Sequence, residues 1–330
     1  VQNGNGGLIS QSDLYVSLEP CSHFGKTPPC TDLIIKNKIP KVIIGCRDPF
    51  KKLDARLPAR AGTDGNDAAG QGNGIEKLEA AGVEVVLDVL ENECKEINKR
   101  FMTFHTLHRP YIILKWAQTA DCKIALPPAP LHMWRGEYQR LFITNEFTNR
   151  LVHKWRSEEA AILVGTNTAL MDNPELTTRL WPGPSPVRLV VDMDLKLPST
   201  LKIFNQKQPT IVFNAKVHSE ESEWAAPSLP IAIGMERVGV RYYQVTEDAN
   251  LVHQIVNALY QLKIQSVIVE GGAQLQQSFI DEGMWDEARV ISNGQLVIDN
   301  GLPAPHLKNT FKTEEQSLLS DSVEIYKHSE

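Results

Sequence analysis

Cys21 and Cys30 stand nine positions apart in the stretch LYVSLEPCSHFGKTPPC, residues 14–30, and are the side chains best suited to hold a metal or to react as thiolates. An apolar, β-prone run of Leu14, Tyr15, Val16 and Leu18 ends at Glu19-Pro20, and Cys21 follows at once. A polar loop punctuated by Gly and Pro leads to Cys30, which follows Pro28-Pro29 and opens an apolar-periodic segment, Leu33, Ile34 and Ile35. The pattern predicts a strand end and a helix start that bring two thiolates to one point. A helix N-terminus is expected to lower the Cys30 pKa and so favour the thiolate that a metal needs. A disulfide or a plain pair of thiols fits the same spacing. A catalytic zinc ion needs a third protein ligand and a Glu to move protons, and the 20 residues before Cys21 contain no His. The H-x-E triplet His218-Ser219-Glu220 lies far away in a polar stretch and reads as solvated loop.

A second set of chemistry-bearing residues lies in the other half. In SVIVEGGAQLQQS, residues 266–278, a buried strand runs through Glu270-Gly271-Gly272 straight into an amphipathic helix. The free N–H groups and positive dipole end of that helix suit an anion such as a cofactor pyrophosphate, although a Gly-Gly turn also serves tight packing. Glu270 is placed where α/β folds bind ligands, at the C-terminal end of a strand. In AILVGTNTALMDNPELTTR, residues 161–179, hydroxyls, Asp172 and Arg179 follow one another on loop-forming sequence, which suits a phosphorylated, hydroxyl-rich ligand. A plain turn with a surface Arg is the alternative.

The elements that must position these residues alternate. Strands are predicted at 14–18, 41–46 and 83–89, with helices at 29–38, 74–81 and 91–105, and the segment 53–73, rich in Gly, Ala and Asp, reads as a flexible surface loop. After Leu107-His108-Arg109-Pro110 a second series begins, with strands at 111–117, 160–165, 187–192, 210–214, 266–270, 288–292 and 322–326 and helices at 146–156, 250–262 and 273–282. Two α/β domains, 1–107 and 108–330, follow from this, and 330 residues are enough for both. The net charge of −6, without a long basic run, argues against nucleic acid as the main partner. No segment approaches the ~18 apolar residues of a membrane span. Five cysteines, an odd number, do not look like a disulfide framework, so a reducing cytoplasmic setting is expected. The opening Val1-Gln2-Asn3-Gly4, without Met, suggests a piece of a longer protein.

PCSHFGKTPPC, LKWAQTAD, HKWRSEEAAILVGTNTALMDNPELTTR, PVRLVVD and VIVEGGAQL together resemble the bifunctional deaminase-reductase family of riboflavin biosynthesis. The resemblance implies a truncated cytidine-deaminase-like domain followed by a dihydrofolate-reductase-like α/β domain. It implies zinc at Cys21 and Cys30, with His23 and Lys26 facing the deaminase substrate, a phosphorylated pyrimidine. In the reductase half it implies substrate positions at Lys115, Arg156, Leu176, Arg179 and Glu270, with Lys115 and Glu270 catalytic. NADPH positions are implied at Ala117, Phe142, Thr168 and Asp172, and at Gly271, Gly272, Ala273, Gln274, Leu275, Gln276, Gln277 and Ser278. Without an H-x-E before Cys21, the deaminase step is expected to be lost. The alternative is a monofunctional reductase whose front half is a scaffold, and a homo-oligomer is compatible with either. Cys122 stands where the family has Gly in A-D-G, which puts that turn in doubt if it needs a positive φ.

Overall fold

The computed structural model divides the chain into two compact units, Val1–His108 and Arg109–Glu330. It describes residues 6–24, 27–49, 74–125, 142–216 and 239–329. The expected loop at 53–73, Lys26 and the triplet His218-Ser219-Glu220 lie outside the described residues. No helix among the described residues is long and apolar enough to cross a membrane.

The front unit runs α1 (Gly6–Ile9), β1 (Asp13–Leu18), α2 (Cys30–Lys36), β2 (Lys41–Cys46), α3 (Gly74–Ala80), β3 (Glu84–Val86), α4 (Glu91–Ile97) and α5 (Lys99–Thr106). Its strands pair in parallel in the order β1-β2-β3. The central strand β2 is buried without a break from Val42 to Cys46, as a parallel strand covered on both faces must be. It packs with Ile34, Ile75, Leu78 and Val83. The single helix expected over 91–105 is two helices that meet at Asn98. The Asn98 amide donates to the Cys94 carbonyl at 2.8 Å and to Ser17 O at 3.4 Å, and such local bonds compete with a continuous helix.

The back unit contains β4 (Tyr111–Thr119), β5 (Lys123–Ala125), α6 (Glu146–Glu158), β6 (Ala161–Val164), α7 (Thr166–Asp172), β7 (Val187–Val191), β8 (Thr210–Asn214) and β9 (Val240–Gln244). Then come α8 (Leu251–Gln261), β10 (Ser266–Gly271), α9 (Ala273–Asp281), β11 (Glu287–Asn293), β12 (Leu302–Pro303), β13 (Thr310–Leu318) and β14 (Asp321–His328). Nine of these strands form one sheet in the order β13-β14-β11-β4-β10-β6-β7-β8-β9, and β12 pairs with β5 in a separate antiparallel pair. Every pairing from β11 to β9 is parallel, and β14 and β13 join antiparallel. Five of these elements differ from what the sequence predicts. The turn expected after Gly165 is the helix α7, too short to show a period. The strands β5, β9, β12 and β13 are likewise not predicted: β5 and β12 are only three and two residues long, and β13 (TFKTEEQSL) is exposed along nearly its whole length, so it has no apolar alternation to reveal it.

Side chains alternate between faces along each strand. Ile112, Leu114 and Trp116 of β4 pack with Ile255, Leu259 and Phe279 of α8 and α9 on one face. Tyr111 and Ile113 pack with Val152 and Trp155 of α6 on the other. Lys115 therefore falls on the α6 face of β4, and Glu270, two residues after Ile268, on the same face of β10. The adjacent parallel strands β4 and β10 lead onward to helices on opposite faces, α6 and α9, the arrangement beside which open α/β sheets bind their ligands.

Helix α6 is fixed at its start and along its inner face. Asn145 caps it by accepting from Phe147 N at 2.9 Å and Thr148 N at 3.1 Å. The buried Asp321 carboxylate accepts from Asn145 N at 2.8 Å and from the Thr148 hydroxyl, which ties the helix start to the β13–β14 hairpin. The Arg289 guanidinium lies 4.9 Å over the Trp155 ring and donates to Glu287 at 2.6 Å.

At the turn after β4, Cys122 has φ 57°, in the left-handed region that costs a side chain with a Cβ. The doubt raised by Cys at a Gly position is thus a real strain. Cys122→Gly is expected to raise stability by about 1 kcal/mol, less the entropy that Gly adds to the unfolded chain. Denaturant unfolding followed by circular dichroism measures it, and a midpoint that does not rise would show that the turn carries no strain.

Candidate functional site

Glu270 is the residue around which the back-unit site closes. Strand β10 pairs with β6 through Val269↔Leu163 and Gly271↔Val164, so Glu270 is the extra residue of a bulge. A bulge next to a strand end re-aims a side chain. Glu270 meets Arg156 in the last turn of α6 in a two-pronged ion pair, Nε to Oε1 at 2.7 Å and Nη2 to Oε2 at 2.6 Å. The side chains are only 13% and 6% exposed, so the pair is shielded from water. Arg156 Nη1 also donates to Thr177 O at 3.2 Å. That carbonyl follows Leu176, which is buried and held at φ 54°.

The electrostatics follow from this geometry. Burial alone would push the Glu270 carboxyl up, but Arg156 and then Lys115 outweigh it and hold it at about 2. Burial lowers the Lys115 pKa, Arg156 adds to the fall, and Glu270 opposes it. His153, one turn before Arg156, is 1% exposed, and its Nδ1 has no hydrogen-bond partner among the described residues. Burial first, then the charges of Arg156 and Arg179, bring it down to about 4, so it is neutral near pH 7. The sequence reading did not pick out His153; its spacing of three from Arg156 on one helix face was the available signal. Arg179 is half exposed, and among the described residues it bonds Thr177 Oγ1 at 3.3 Å and lies 3.8 Å from Glu175. Of the two arginines expected to meet a phosphate, Arg156 has most of its donors engaged, and Arg179 presents a free face.

The Gly271-Gly272 junction adjoins Glu270. The peptide between the two glycines is cis. A Cβ on Gly271 would approach Thr168 Oγ1 to 3.1 Å and one on Gly272 to 3.2 Å, but only Gly271, at φ 146°, has a backbone that disfavours a side chain; Gly272 has φ −79°. The need for glycine therefore sits at Gly271. Gly272 begins α9 without a side-chain cap, so the N–H groups of Ala273, Gln274 and Leu275 mark the start of a helix free to face an anion. Thr168, from α7, lies against both glycines. Leu275 packs at the edge of the first core.

The expected run of cofactor contacts narrows here. Gln276 is fully buried and donates to strand carbonyls, Gln277 bonds Asp281 and His306, and the Ser278 hydroxyl bonds back to Gln274 O. These three side chains serve the fold because the helix turns them away from its N-terminus. Leu176 likewise buries its side chain in the second core and offers a ligand only its backbone. Ala117 lies two residues beyond Lys115 on the same face, at the edge of that core. Asp172 ends α7 and is exposed, and Phe142 is 73% exposed.

In the front unit, Cys30 N donates to Cys21 Sγ at 3.3 Å, and Thr31 N and Oγ1 both bond Cys21 O at 3.2 Å. The strand end and helix start do bring the thiols together. The expected fall in the Cys30 pKa does not occur: the hydrogen bond to the Cys21 thiol, then burial, raises it. His23 is exposed. No group of three or more His, Cys, Asp or Glu side chains that could hold a metal ion exists among the described residues. Two thiols are one ligand short of a catalytic zinc site, so the described donors do not fit that ion.

The low pKa of Glu270 is a stability statement. A carboxylate whose folded pKa is depressed stabilises the fold above its unfolded value, and this is lost as pH falls through the folded value. Between about pH 4 and pH 2 the chain should lose on the order of 3 kcal/mol that a Glu270→Gln variant, already weaker at pH 7, does not lose. Parallel denaturant titrations across that window test it, and curves that stay a constant distance apart would mean that Glu270 titrates normally.

Residues 110–297 match the family model described as the RibD C-terminal domain. The riboflavin biosynthesis protein RibD of Aquifex aeolicus (strain VF5) is 36% identical over 305 residues, which are 90% of this chain and 75% of that protein. RibD of Bacillus amyloliquefaciens is 33% identical over 287 residues, 86% of this chain and 68% of that one. A solved structure from Thermotoga maritima, described as a diaminohydroxyphosphoribosylaminopyrimidine deaminase/5-amino-6-(5-phosphoribosylamino)uracil reductase, is similar with a TM-score of 0.72 at 31% identity. It is matched over 96% of this chain and 79% of its own. A structure of Acinetobacter baumannii RibD gives a TM-score of 0.74 at 21% identity, a likeness of fold. With a family model over more than half its length and close relatives covered over two thirds or more of theirs, the chain belongs to the RibD family of riboflavin biosynthesis proteins.

Proposed function

We propose that residues 109–330 are an NADPH-dependent reductase that converts the ribosyl group of a phosphorylated ribosylaminopyrimidine to a ribityl group. The observation that carries this reading is the part-buried group of Lys115, Glu270 and Arg156 where β4 and β10 part, immediately beside a glycine-entered helix N-terminus. The substrate class follows the reductase named for the Thermotoga relative.

The residues present fit a dinucleotide. Gly271 leaves room that a Cβ would fill against Thr168, and the start of α9 is suited to a pyrophosphate. Gly271, Gly272, Thr168 and the N–H groups of Ala273 and Gln274 would hold it, with Ala117 and Phe142 as its further expected neighbours. When bound, NADPH supplies the hydride for the sugar carbon. Arg179 binds the substrate phosphate with its exposed guanidinium. Glu270, kept ionised by Arg156, accepts hydrogen bonds from sugar hydroxyls and holds them in one orientation. Lys115 carries the proton for the sugar oxygen released as the ring opens, and its lowered pKa brings it nearer to a working acid.

For the front unit, the two-thiol donor set supports the reading that deamination is absent from the chain as it stands, and that this unit acts as a scaffold. After equilibration with zinc and desalting, the purified chain should retain well under one equivalent. Stoichiometric zinc together with ammonia release from the deaminase substrate would overturn this.

Two substitutions test the reductase. Arg179→Ala should raise the KM for the phosphorylated substrate by about 10- to 100-fold, the worth of a charge-assisted contact of about 1.5–3 kcal/mol, and leave NADPH affinity unchanged. A KM within roughly twofold of the parent would return Arg179 to the surface. The parent should lose kcat as pH rises through the depressed Lys115 pKa, because the protonated amine is the active form. Lys115→Met should abolish that limb along with most of the activity, and an unchanged alkaline profile would exclude Lys115 as the acid.

A further inference from the structure

Strands β4 and β10 pair from Tyr111↔Ser266 to Leu114↔Val269 and then part. Beyond that point β4 stays on β11 as far as Thr119, and β10 follows β6 through the Glu270 bulge to Gly271. The ladder thus opens at Lys115 and Glu270, two residues whose charges act on each other. Where strands separate inside a protein, their carbonyls lose ladder partners and need others. Gln276 of α9 supplies both: its one amide nitrogen donates to Lys115 O at 2.7 Å and to Val269 O at 2.9 Å. One donor hydrogen goes to each parted strand.

The chemistry of the side chain is specific. Gln276 is 0% exposed, and its Oε1 has no hydrogen-bond partner among the described residues. A buried amide with an unpaired oxygen is costly, and an apolar residue would pack against Phe279 and Ile280 without that cost. Only Asn and Gln carry a neutral NH2 with two donors, and Asn is one methylene shorter. The benefit of Gln here is the bridge.

We propose that Gln276 is a positioning residue of the reductase site, whose amide bridge between Lys115 O and Val269 O sets the gap between β4 and β10 and so the placing of Lys115 against Glu270 and Arg156. The role rests on the reductase reading given above. It is distinct from a cofactor contact, because both amide hydrogens are committed to the strands. Gln276→Leu and Gln276→Met keep the volume and remove the bridge, and Gln276→Glu keeps the shape and replaces the donors with acceptors.

The test uses the full chain and follows NADPH oxidation with the phosphorylated ribosylaminopyrimidine, with circular dichroism and thermal unfolding as folding controls. In folded variants kcat should fall about 100-fold, the usual effect of displacing a reacting group by about 1 Å. The Kd for NADPH should stay within roughly threefold, because the start of α9 is untouched. A second readout needs no activity: NMR titration of the ε-carbon of labelled Lys115 should show its pKa moving back towards that of a free lysine in the Leu and Met variants. Folded variants with kcat within roughly twofold of the parent and an unshifted Lys115 titration would overturn the role of Gln276. A parent that does not oxidise NADPH would instead sink the reductase reading, while the Lys115 titration still decides whether Gln276 places that amine.

Discussion

The back unit depends on the ion pair between Arg156 and Glu270. Two charges taken out of water are retained only when their geometry is good and their remaining donors are used, and here two short bonds and a third to the Thr177 carbonyl meet that condition. One contact therefore joins three parts of the chain: the last turn of α6, the end of β10 and the loop after α7. Losing either partner would leave a buried charge alone, which is far worse than replacing both. The capped start of α6, its link to Asp321 and the Arg289–Trp155 stack all bear on where that guanidinium ends up.

Around the pair, irregular backbone gathers in a small space. The Glu270 bulge, Gly271 at φ 146° and Leu176 at φ 54° all lie within two residues of a bond to the pair or of the pair itself. Departures of this kind persist where surrounding structure determines them, and they cluster at functional sites. The bulge turns a carboxylate towards Arg156, and Gly271 lets α9 begin beside it. Lys115 then feels a field of both signs, with burial lowering its pKa and Glu270 partly restoring it. His153 remains neutral in the same field, so it adds packing and hydrogen-bonding capacity without a third positive charge.

The front unit shows how the same chemistry can be assembled only in part. Thr31 ties α2 to Cys21 O, and Cys30 N bonds the Cys21 sulfur, so the thiols are preorganised. The Cys21 thiol and burial raise the cost of ionising Cys30, and a bound cation is the usual means of reversing such a cost. Glu19, next to the Pro20-Cys21 junction, is buried and accepts from Asp48 N and Ile75 N at 3.3 Å, which places it in the framework of the fold.

The sequence alone determined the alternation of strands and helices, the break near His108, the meeting of Cys21 with Cys30 and the importance of Glu270-Gly271-Gly272. These are carried by local signals: apolar periods, Pro and Gly punctuation, and a carboxylate at a strand end. It also flagged Cys122 as a residue in a glycine's place, because φ preference is a property of the residue itself. Tertiary structure decided what depends on residues far apart in the chain. Arg156 is 114 positions from Glu270, and nothing local says that it neutralises that carboxylate while Arg179 stays exposed. The choice of Gly271 over Gly272 as the constrained glycine came from its φ of 146°, while Thr168, on another helix, closes in on both. Gln276 lay within the predicted cofactor run, and only the parting of β4 from β10 shows why its amide turns inward. Long-range pairing fixes which groups face each other, and a linear pattern of residue types does not encode those distances.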